Sequence, residues 1–185
     1  MPSDQGESMI AEYYDNLAES YEELYGEEQL VKYFSVARRI SSAFRGRLLD
    51  AGCGTLLLWE FAQRAGLSEQ IEYYVGADLS EKMLLKGLER SISSWKADVV
   101  RASISALPFR PACFDSSFAL TVLLGSHIEE QVANAVKRLA EVSREVVISV
   151  VEEASIERSF LERIKCDYWR VGRELFYRIE TSTLT

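Results

Sequence analysis

The sequence has few of the residues that build metal centres and disulfide scaffolds. It contains one histidine and three cysteines, and Cys53, Cys113 and Cys166 are widely spaced, with no C-x-x-C pair. Structural metal sites and disulfide frameworks need several such residues at close or paired spacings. We therefore predict reduced cysteines, no bound metal and a cytoplasmic location.

Long apolar runs and an excess of basic charge are also missing. No apolar run approaches the roughly 20 residues of a membrane helix, and the N-terminus lacks the basic and then apolar pattern of a signal peptide. The net charge is -8, whereas proteins that neutralise phosphates present a basic face. We predict no membrane association and no strong nucleic-acid binding by this chain alone, with room only for a local basic patch.

The composition suits a folded protein of modest size. With 48% apolar and 27% charged residues among 185, the chain can build one globular domain with a sizeable core. We divide it into a polar, frayed terminus over residues 1–8 and one domain over residues 9–185. Within that domain, residues 9–45 are expected to be helical, and residues 152–185 form a short C-terminal region that reads as incomplete.

The helical prediction near the N-terminus is based on periodicity. From Met9 onward, aromatic and aliphatic residues recur at helical spacing, and acidic residues fill the opposite face. Gly26 is expected to end this segment. A second helix should then run to about Ile40.

Beyond residue 45, apolar runs typical of buried strands alternate with helical patterns. Strands are predicted over residues 47–51, 71–79, 97–102, 114–124 and 145–151, with one more over 175–181. Helices are predicted over residues 57–65, 80–88, 128–142 and 154–164. This alternation is typical of α/β proteins with a mostly parallel sheet flanked by helices.

The most informative stretch is LLDAGCGT, residues 48–55. An apolar run that ends in an acid and two glycines, and is followed by a helical pattern, predicts a buried strand that turns sharply into a helix. Gly52 and Gly54 lack Cβ atoms, so a ligand can lie against the backbone there. Thr55 is a candidate N-cap for the helix, and Asp50 is placed to meet a cationic group of the ligand.

Four blocks of sequence occur in an informative order: LLDAGCGT, VGADLSEKML, ALPF and FDSSFALTVL. Together they resemble the class I S-adenosylmethionine-dependent methyltransferases, and YYDNLAESYEE resembles the opening helix of the small-molecule branch of that family. The resemblance covers roughly residues 10–150. It implies a Rossmann-like, doubly wound sheet with strand order 3-2-1-4-5, any further strand lying beyond the fifth, and S-adenosyl-L-methionine as cofactor.

The resemblance also implies roles for individual residues. The turn residues Gly52, Cys53 and Gly54 would cradle the methionine part of the cofactor, and Asp50 would face its ammonium group. Asp78 would accept hydrogen bonds from both ribose hydroxyls, or else it caps the next helix.

The adenine ring would have apolar neighbours. Leu79 and Met83 would pack on it, although Met83 suits the helix core equally well. Ile104 would be a further apolar neighbour of the ring.

Two positions depart from the family pattern. Leu56 stands where relatives usually have a third glycine, and its side chain would crowd the cofactor unless it turns into the sheet. Ser103 stands where many relatives have an acid that accepts from the adenine amino group; a hydroxyl can accept the same bond more weakly.

A general base is optional for methyl transfer from a sulfonium, because positioning and exclusion of water supply much of the rate. If the acceptor must lose a proton, the candidates are His127, Tyr14 and Tyr21. His127 could instead be a surface residue that caps the helix at Ile128. In relatives the opening helix lies over the cofactor, so Tyr14 and Tyr21 would form a lid, with core packing as the alternative.

We therefore predict an S-adenosylmethionine-dependent methyltransferase with an unidentified acceptor, most simply a small molecule. The alternative is a non-catalytic protein that binds S-adenosylmethionine as a partner or regulatory subunit. A nicotinamide-dependent oxidoreductase is a weaker alternative, because GCGTLL lacks the G-x-G-x-x-G spacing. Association with a protein partner or a second copy of the chain stays open.

Overall fold

A seven-stranded sheet organises the protein, whose computed structural model describes residues 2–91, 94–123 and 128–183. The strands are β1 Gly46–Ala51, β2 Ile71–Asp78, β3 Ala97–Arg101, β4 Phe114–Leu120, β5 Ser143–Val151, β6 Asp167–Val171 and β7 Glu174–Glu180. Their order is β3-β2-β1-β4-β5-β7-β6. Strand β7 is antiparallel to both neighbours, and the other pairs are parallel. The predicted doubly wound sheet with strand order 3-2-1-4-5 is confirmed.

Helices cover both faces of the sheet. They are α1 Pro2–Leu17, α2 Tyr21–Arg39, α3 Leu57–Arg64, α4 Glu81–Ser91, α5 Glu129–Val142 and α6 Ser155–Glu162. Helices α2, α3 and α4 contribute to one core cluster, and α5 and α6 contribute to the other. Within the described ranges, no helix is both long and apolar enough to cross a membrane.

Strand β1 is apolar at consecutive positions because both of its faces are buried. Leu48 belongs to the first core cluster and Leu49 to the second, because successive side chains of a strand point to opposite faces. Both leucines are fully buried. A parallel strand covered by helices on both faces needs this composition.

The N-terminal helices differ from the prediction in two ways. Helix α1 begins at Pro2, within the terminus that the sequence predicts to be frayed over residues 1–8. Proline suits the first helical position because its φ is already helical. Gly26 lies inside α2, and the helices are separated instead at residues 18–20. One glycine costs a helix only about 1 kcal/mol, which the buried face of Tyr33 and Val36 offsets.

The C-terminal region contains a hairpin that the sequence reading missed. Strand β6 pairs with β7 through a tight turn at Gly172, which has a φ of 57°. The predicted strand over residues 175–181 corresponds to β7. The missed signal was a glycine between two segments rich in aromatic and β-branched residues.

The prediction of Thr55 as the N-cap of α3 is wrong. The helix begins at Leu57, and the N-cap position is Leu56. Thr55 is fully buried, and its hydroxyl oxygen has no hydrogen-bond partner in the described part of the chain.

Leu56 has turned away from the glycine turn and into the core. It is 0% exposed and has a left-handed φ of 59°, a conformation that costs an L-residue roughly 1–2 kcal/mol. Burying its side chain is worth about 1.5–3 kcal/mol, which offsets that cost. The space comes from Gly87 of α4, where a Cβ atom would overlap Cδ1 of Leu56.

We predict that Gly87→Ala destabilises the protein by about 1–3 kcal/mol, because the added methyl overfills this contact. Helix propensity alone would favour alanine by roughly 1 kcal/mol, so packing decides the sign. The free energy of unfolding in urea measures the effect.

Gly26→Ala is the matched control, since position 26 also lies inside a helix and the nearest atom to a new Cβ would be Glu22 Cβ at 4.0 Å. That variant should be more stable by about 0.5–1 kcal/mol. A Gly87→Ala protein stabilised to the same extent would contradict the packing of Leu56 against α4.

Candidate functional site

The glycine turn after β1 is fastened to the neighbouring strand. The N–H groups of Gly52 and Cys53 donate to the Ala77 carbonyl at 2.7 and 3.1 Å. Gly52 and Gly54 have φ values of 79° and 52°, a region that side-chain-bearing residues rarely adopt. These two positive φ angles explain the need for glycine and bring the turn to the carboxyl ends of β1 and β2.

Side chains from elsewhere in the fold lie over the turn. A Cβ at Gly52 would overlap the Val122 side chain, and a Cβ at Gly54 would lie 3.8 Å from the Tyr21 ring. The faces that glycine leaves open are therefore in contact with protein in this conformation. Cys53 is turned into the core against Gly76, and burial raises the pKa of its thiol well above the ordinary value.

Asp78, at the carboxyl end of β2, is bonded to two backbone N–H groups. Its Oδ2 accepts from Gly54 N at 2.9 Å, and its Oδ1 accepts from Ser80 N at 2.9 Å. Each carboxylate oxygen can accept a second hydrogen bond, so Asp78 keeps capacity for a ligand. The side-chain cap of α4 is Ser80, since Ser80 Oγ accepts from Met83 N at 3.1 Å.

Asp50 is a buried carboxyl group at the carboxyl end of β1. It is 5% exposed and accepts a hydrogen bond from the Tyr74 hydroxyl. Burial raises the pKa of Asp50 to about 7, the nearby Asp78 adds to this, and the Tyr74 hydrogen bond opposes it.

Neither acid has a cationic partner in the part of the chain that the structure describes. Burial also raises the pKa of Asp78. Within the described ranges neither Asp50 nor Asp78 forms an ion pair or hydrogen bond with a lysine or arginine. Two desolvated carboxylates, of which Asp78 further raises the pKa of Asp50, favour a cation between or beside them.

Tyrosines of α1 and α2 stand over these acids. The ring centroids of Tyr14 and Tyr21 are 6.4 Å apart. Burial raises the pKa of Tyr14 to about 12, with Tyr13 and Asp78 adding to the effect. Burial, Tyr14, Asp78 and Asp50 likewise raise the pKa of Tyr21. Both phenols hold their protons at neutral pH and are suited to donate hydrogen bonds rather than to act as bases.

Helices α1 and α2 together form the helical cover. Helix α1 attaches this cover to α4. Asp15 Oδ1 accepts from Ser80 Oγ at 2.5 Å and from Lys82 N at 3.1 Å. Lys86 Nζ donates to the Ala18 carbonyl at 3.1 Å. These contacts hold the cover against the start of α4, beside Asp78.

The other predicted site residues are distributed as follows. Leu79 is half-buried, and Met83 is 1% exposed, so Met83 faces the protein interior and the helix-core alternative describes its present surroundings. Ser103 and Ile104 lie at the turn after β3, with Ile104 packed against the second core cluster. His127 lies outside the described residues.

The sequence reading missed a buried polar network on the other side of the turn. Lys32, 3% exposed, places Nζ 2.7 Å from Thr121 Oγ1 and 2.8 Å from carboxylate oxygens of Glu174 and Glu28. Thr121 Oγ1 and Ser149 Oγ also donate to Glu174. The network ties α2 to the ends of β4 and β5 and the start of β7.

The network also accounts for a strained residue. Thr121 directly follows β4 and has a φ of 58°, which is unfavourable for a β-branched side chain. The strand therefore stops at Leu120 and not at the predicted residue 124. The i,i+4 spacing of Glu28 and Lys32 was the available sequence signal. It could not reveal that Lys32 is buried.

We predict that Lys32→Met destabilises the protein by about 3–5 kcal/mol, because it leaves the buried Glu174 carboxylate without its cation. The double variant Lys32→Met/Glu174→Gln should recover a large part of the loss. The pair of exposed Arg64 and half-buried Glu60 is the control, and Arg64→Met should cost less than about 1 kcal/mol. Equal decreases in the free energy of unfolding for Lys32→Met and Arg64→Met, measured in urea, would contradict a stabilising role for the network.

We also predict a pH-dependent effect of Asp50→Asn. Because the folded pKa of about 7 exceeds the ordinary value of 3.8, ionisation of Asp50 lowers stability as pH rises from about 4 to 7. The loss is roughly 4 kcal/mol at most. Asparagine keeps the acceptor for Tyr74 and does not ionise, so the variant should gain stability relative to the original protein at pH 8 compared with pH 5.

Unfolding measured at both pH values checks this expectation, with Asp98→Asn as a control on an exposed acid. A difference in stability between Asp50→Asn and the original protein that is the same at pH 5 and pH 8 would show that Asp50 is already ionised at the lower pH.

Within the described residues, no group of three or more His, Cys, Asp or Glu side chains could hold a metal ion. The arrangement at the carboxyl ends of β1 and β2 therefore consists of a turn, two acids and two phenols. It can bind a ligand that carries a cationic group and hydroxyl donors.

Comparison with known proteins identifies the type of domain. A family model described as a methyltransferase domain matches residues 48–145, from β1 to the start of β5. An 18S rRNA (guanine-N(7))-methyltransferase from Bos taurus is 32% identical over 77 residues, which are 41% of this chain and 25% of the relative. The match thus spans a quarter of that relative's length.

Solved structures share the fold. Magnesium protoporphyrin IX methyltransferase from Synechocystis PCC 6803, with bound S-adenosylmethionine, has a TM-score of 0.67 and 16% identity, covering 93% of this chain and 96% of that one. N-methyltransferase NodS from Bradyrhizobium japonicum WM9, in complex with S-adenosyl-L-homocysteine, has a TM-score of 0.63 and 14% identity, covering 82% and 85%. The family match extends over more than half of the sequence, so the chain belongs to the methyltransferase-domain family.

Proposed function

We propose that the protein transfers a methyl group from S-adenosylmethionine to a small-molecule acceptor in the cytoplasm. Family membership and fold support the reaction class. The observation that carries the proposal for this site is the pair Asp50 and Asp78, two desolvated acids without a cationic partner among the described residues.

The chemistry of the cofactor suits these groups. S-adenosylmethionine carries an ammonium group, a sulfonium and a ribose diol. A bound ammonium favours the ionised form of Asp50, whose pKa of about 7 leaves it easily ionised at neutral pH. The free acceptor capacity of Asp78 suits the two ribose hydroxyls.

When bound, S-adenosylmethionine supplies an electrophilic methyl group on a positively charged sulfur. In this proposal Gly52, Cys53 and Gly54 line the methionine part through their backbone, and Asp50 holds the ammonium group. The phenols of Tyr14 and Tyr21 donate hydrogen bonds and exclude water, which strengthens the electrostatic contacts beneath them.

Adenine contacts are assigned to the next strands. Leu79 and Ile104 provide apolar surface near the carboxyl ends of β2 and β3, with Ser103 beside Ile104. Met83 of α4, which is buried, would reach the adenine ring only from the protein interior. If the acceptor must lose a proton, His127 is the remaining base candidate. The raised pKa values of Tyr14 and Tyr21 keep both phenols protonated, so neither can accept a proton.

A small-molecule acceptor is favoured by charge. The net charge of -8 disfavours binding of RNA by this chain alone, although one relative is named for methylation of 18S rRNA. Two structural relatives are named for magnesium protoporphyrin IX and for N-methyl transfer. Association with a protein partner or a second copy would be needed for a larger acceptor.

We predict that Asp78→Ala weakens S-adenosylmethionine binding by about 1–3 kcal/mol, the cost of losing charged hydrogen bonds. Calorimetric titration measures the dissociation constant. Asp98→Ala, which removes an exposed acid of β3, should leave it unchanged. Circular dichroism of Asp78→Ala controls for the loss of its two backbone contacts at Gly54 and Ser80.

Binding and catalysis are then separated with S-adenosylmethionine carrying a radiolabelled methyl group. Transfer of the label to a component of a small-molecule extract would support the proposed methyltransferase activity. Transfer to rRNA would show that the acceptor is RNA and not a small molecule. Binding without transfer to either would favour the non-catalytic alternative. Absence of binding, or an unchanged dissociation constant in Asp78→Ala, would contradict the site.

A further inference from the structure

A carboxylate from the N-terminal helix is held at the carboxyl end of β3. Glu7 of α1 places Oε1 2.6 Å from Ser103 Oγ and 3.3 Å from Ser105 Oγ. The two serines lie at the 3-10 turn Ile104–Ala106, which directly follows the strand. Residues 96 positions apart in sequence thus bring an acid to a strand end that carries none of its own.

This acid is held at the end of β3, the strand that pairs with the strand of Asp78. Strand β3 pairs with β2, with Arg101 opposite Asp78, and the Ala102 N–H donates to the Asp78 carbonyl at 2.9 Å. Ser103 is the next residue. The carboxylates of Asp78 and Glu7 therefore stand at neighbouring positions along the ligand edge of the sheet, in the order in which a nucleoside presents its ribose and its base.

The hydrogen bonds at the turn leave Glu7 as the available acceptor. Ser103 Oγ donates its proton to Glu7 and accepts from the Ser105 N–H at 3.2 Å. Both bonds to Glu7 use Oε1, and within the described ranges Oε2 has no hydrogen bond of its own. An ionised carboxylate oxygen is acceptor-only and binds an N–H donor more strongly than a hydroxyl does.

We propose that Glu7 recognises the exocyclic amino group of the cofactor's adenine, and that Ser103 is a positioning residue that orients Glu7. The inference rests on the proposed binding of S-adenosylmethionine at Asp50 and Asp78. It transfers to Glu7 the hydrogen bond that sequence alone assigned to Ser103. Because Glu7 belongs to α1, recognition of the base then also requires α1 to be docked on α4 through Asp15.

The test compares two ligands that differ only at this amino group. S-adenosylhomocysteine and its analogue with purine in place of adenine are titrated calorimetrically into the full chain. The original protein should prefer the adenine ligand by about 10- to 100-fold, as expected for one hydrogen bond to a charged group. Glu7→Ala should reduce this ratio to within about threefold by weakening only the adenine ligand, and Glu7→Gln should give an intermediate ratio.

Glu12→Ala is the matched control, because Glu12 is an exposed acid of the same helix. It should leave both affinities and their ratio unchanged. Ser103→Ala should lower the ratio less than Glu7→Ala does. Thermal unfolding of each variant verifies that α1 is retained.

The outcomes separate this inference from the proposed function. If the original protein binds S-adenosylhomocysteine and Glu7→Ala keeps the full preference for adenine, the role of Glu7 is overturned and the cofactor site stands. If Glu7→Ala weakens both ligands equally, Glu7 acts through the docking of α1 and the recognition of the amino group is overturned. If the original protein binds neither ligand, the proposed function fails as well.

Discussion

The candidate site depends on two buried acids that have no lysine or arginine partner among the described residues. Asp50 and Asp78 stand at the ends of adjacent parallel strands, and burial raises the pKa of each. Such a pair opposes stability while it is ionised and unbound. In the proposed site, a ligand with cationic groups would remove that penalty, and the cost in the free protein would become selectivity for a sulfonium and an ammonium over neutral ligands.

The sheet and the acids were predictable because their signals are local. Each strand-turn-helix unit carries its own apolar run, turn residues and helical spacing, and strand order follows from the family resemblance. The proximity of Asp50 and Asp78 could be predicted from their positions at the ends of β1 and β2 alone, since the carboxyl ends of parallel strands meet at one edge. The family match over residues 48–145 confirms the identification made from these motifs.

Contacts between distant parts of the chain were not predictable. Leu56 stands where the family usually has a glycine, and its side chain fills space that Gly87 of α4 leaves open. Lys32 belonged to a polar helix face by periodicity, and its burial depends on β7, more than a hundred residues later. Glu7 lay in a segment read as frayed, yet it bonds to Ser103. No spacing rule encodes which surfaces meet across the fold.

The two helices of the cover are held by hydrogen-bond networks of unequal burial, which bears on how a ligand would enter the proposed site. Helix α2 is anchored by Lys32 in a buried network whose disruption costs about 3–5 kcal/mol. The hydrogen bonds that hold helix α1 include the half-exposed ones of Asp15 and Glu7, which are worth about 1 kcal/mol each. If α1 were to move away at residues 18–20, the hydrogen bonds broken would be more exposed and weaker than those of the buried network that anchors α2. Tyr14 would move with α1, while Tyr21 would stay over Gly54 as a fixed wall of the site.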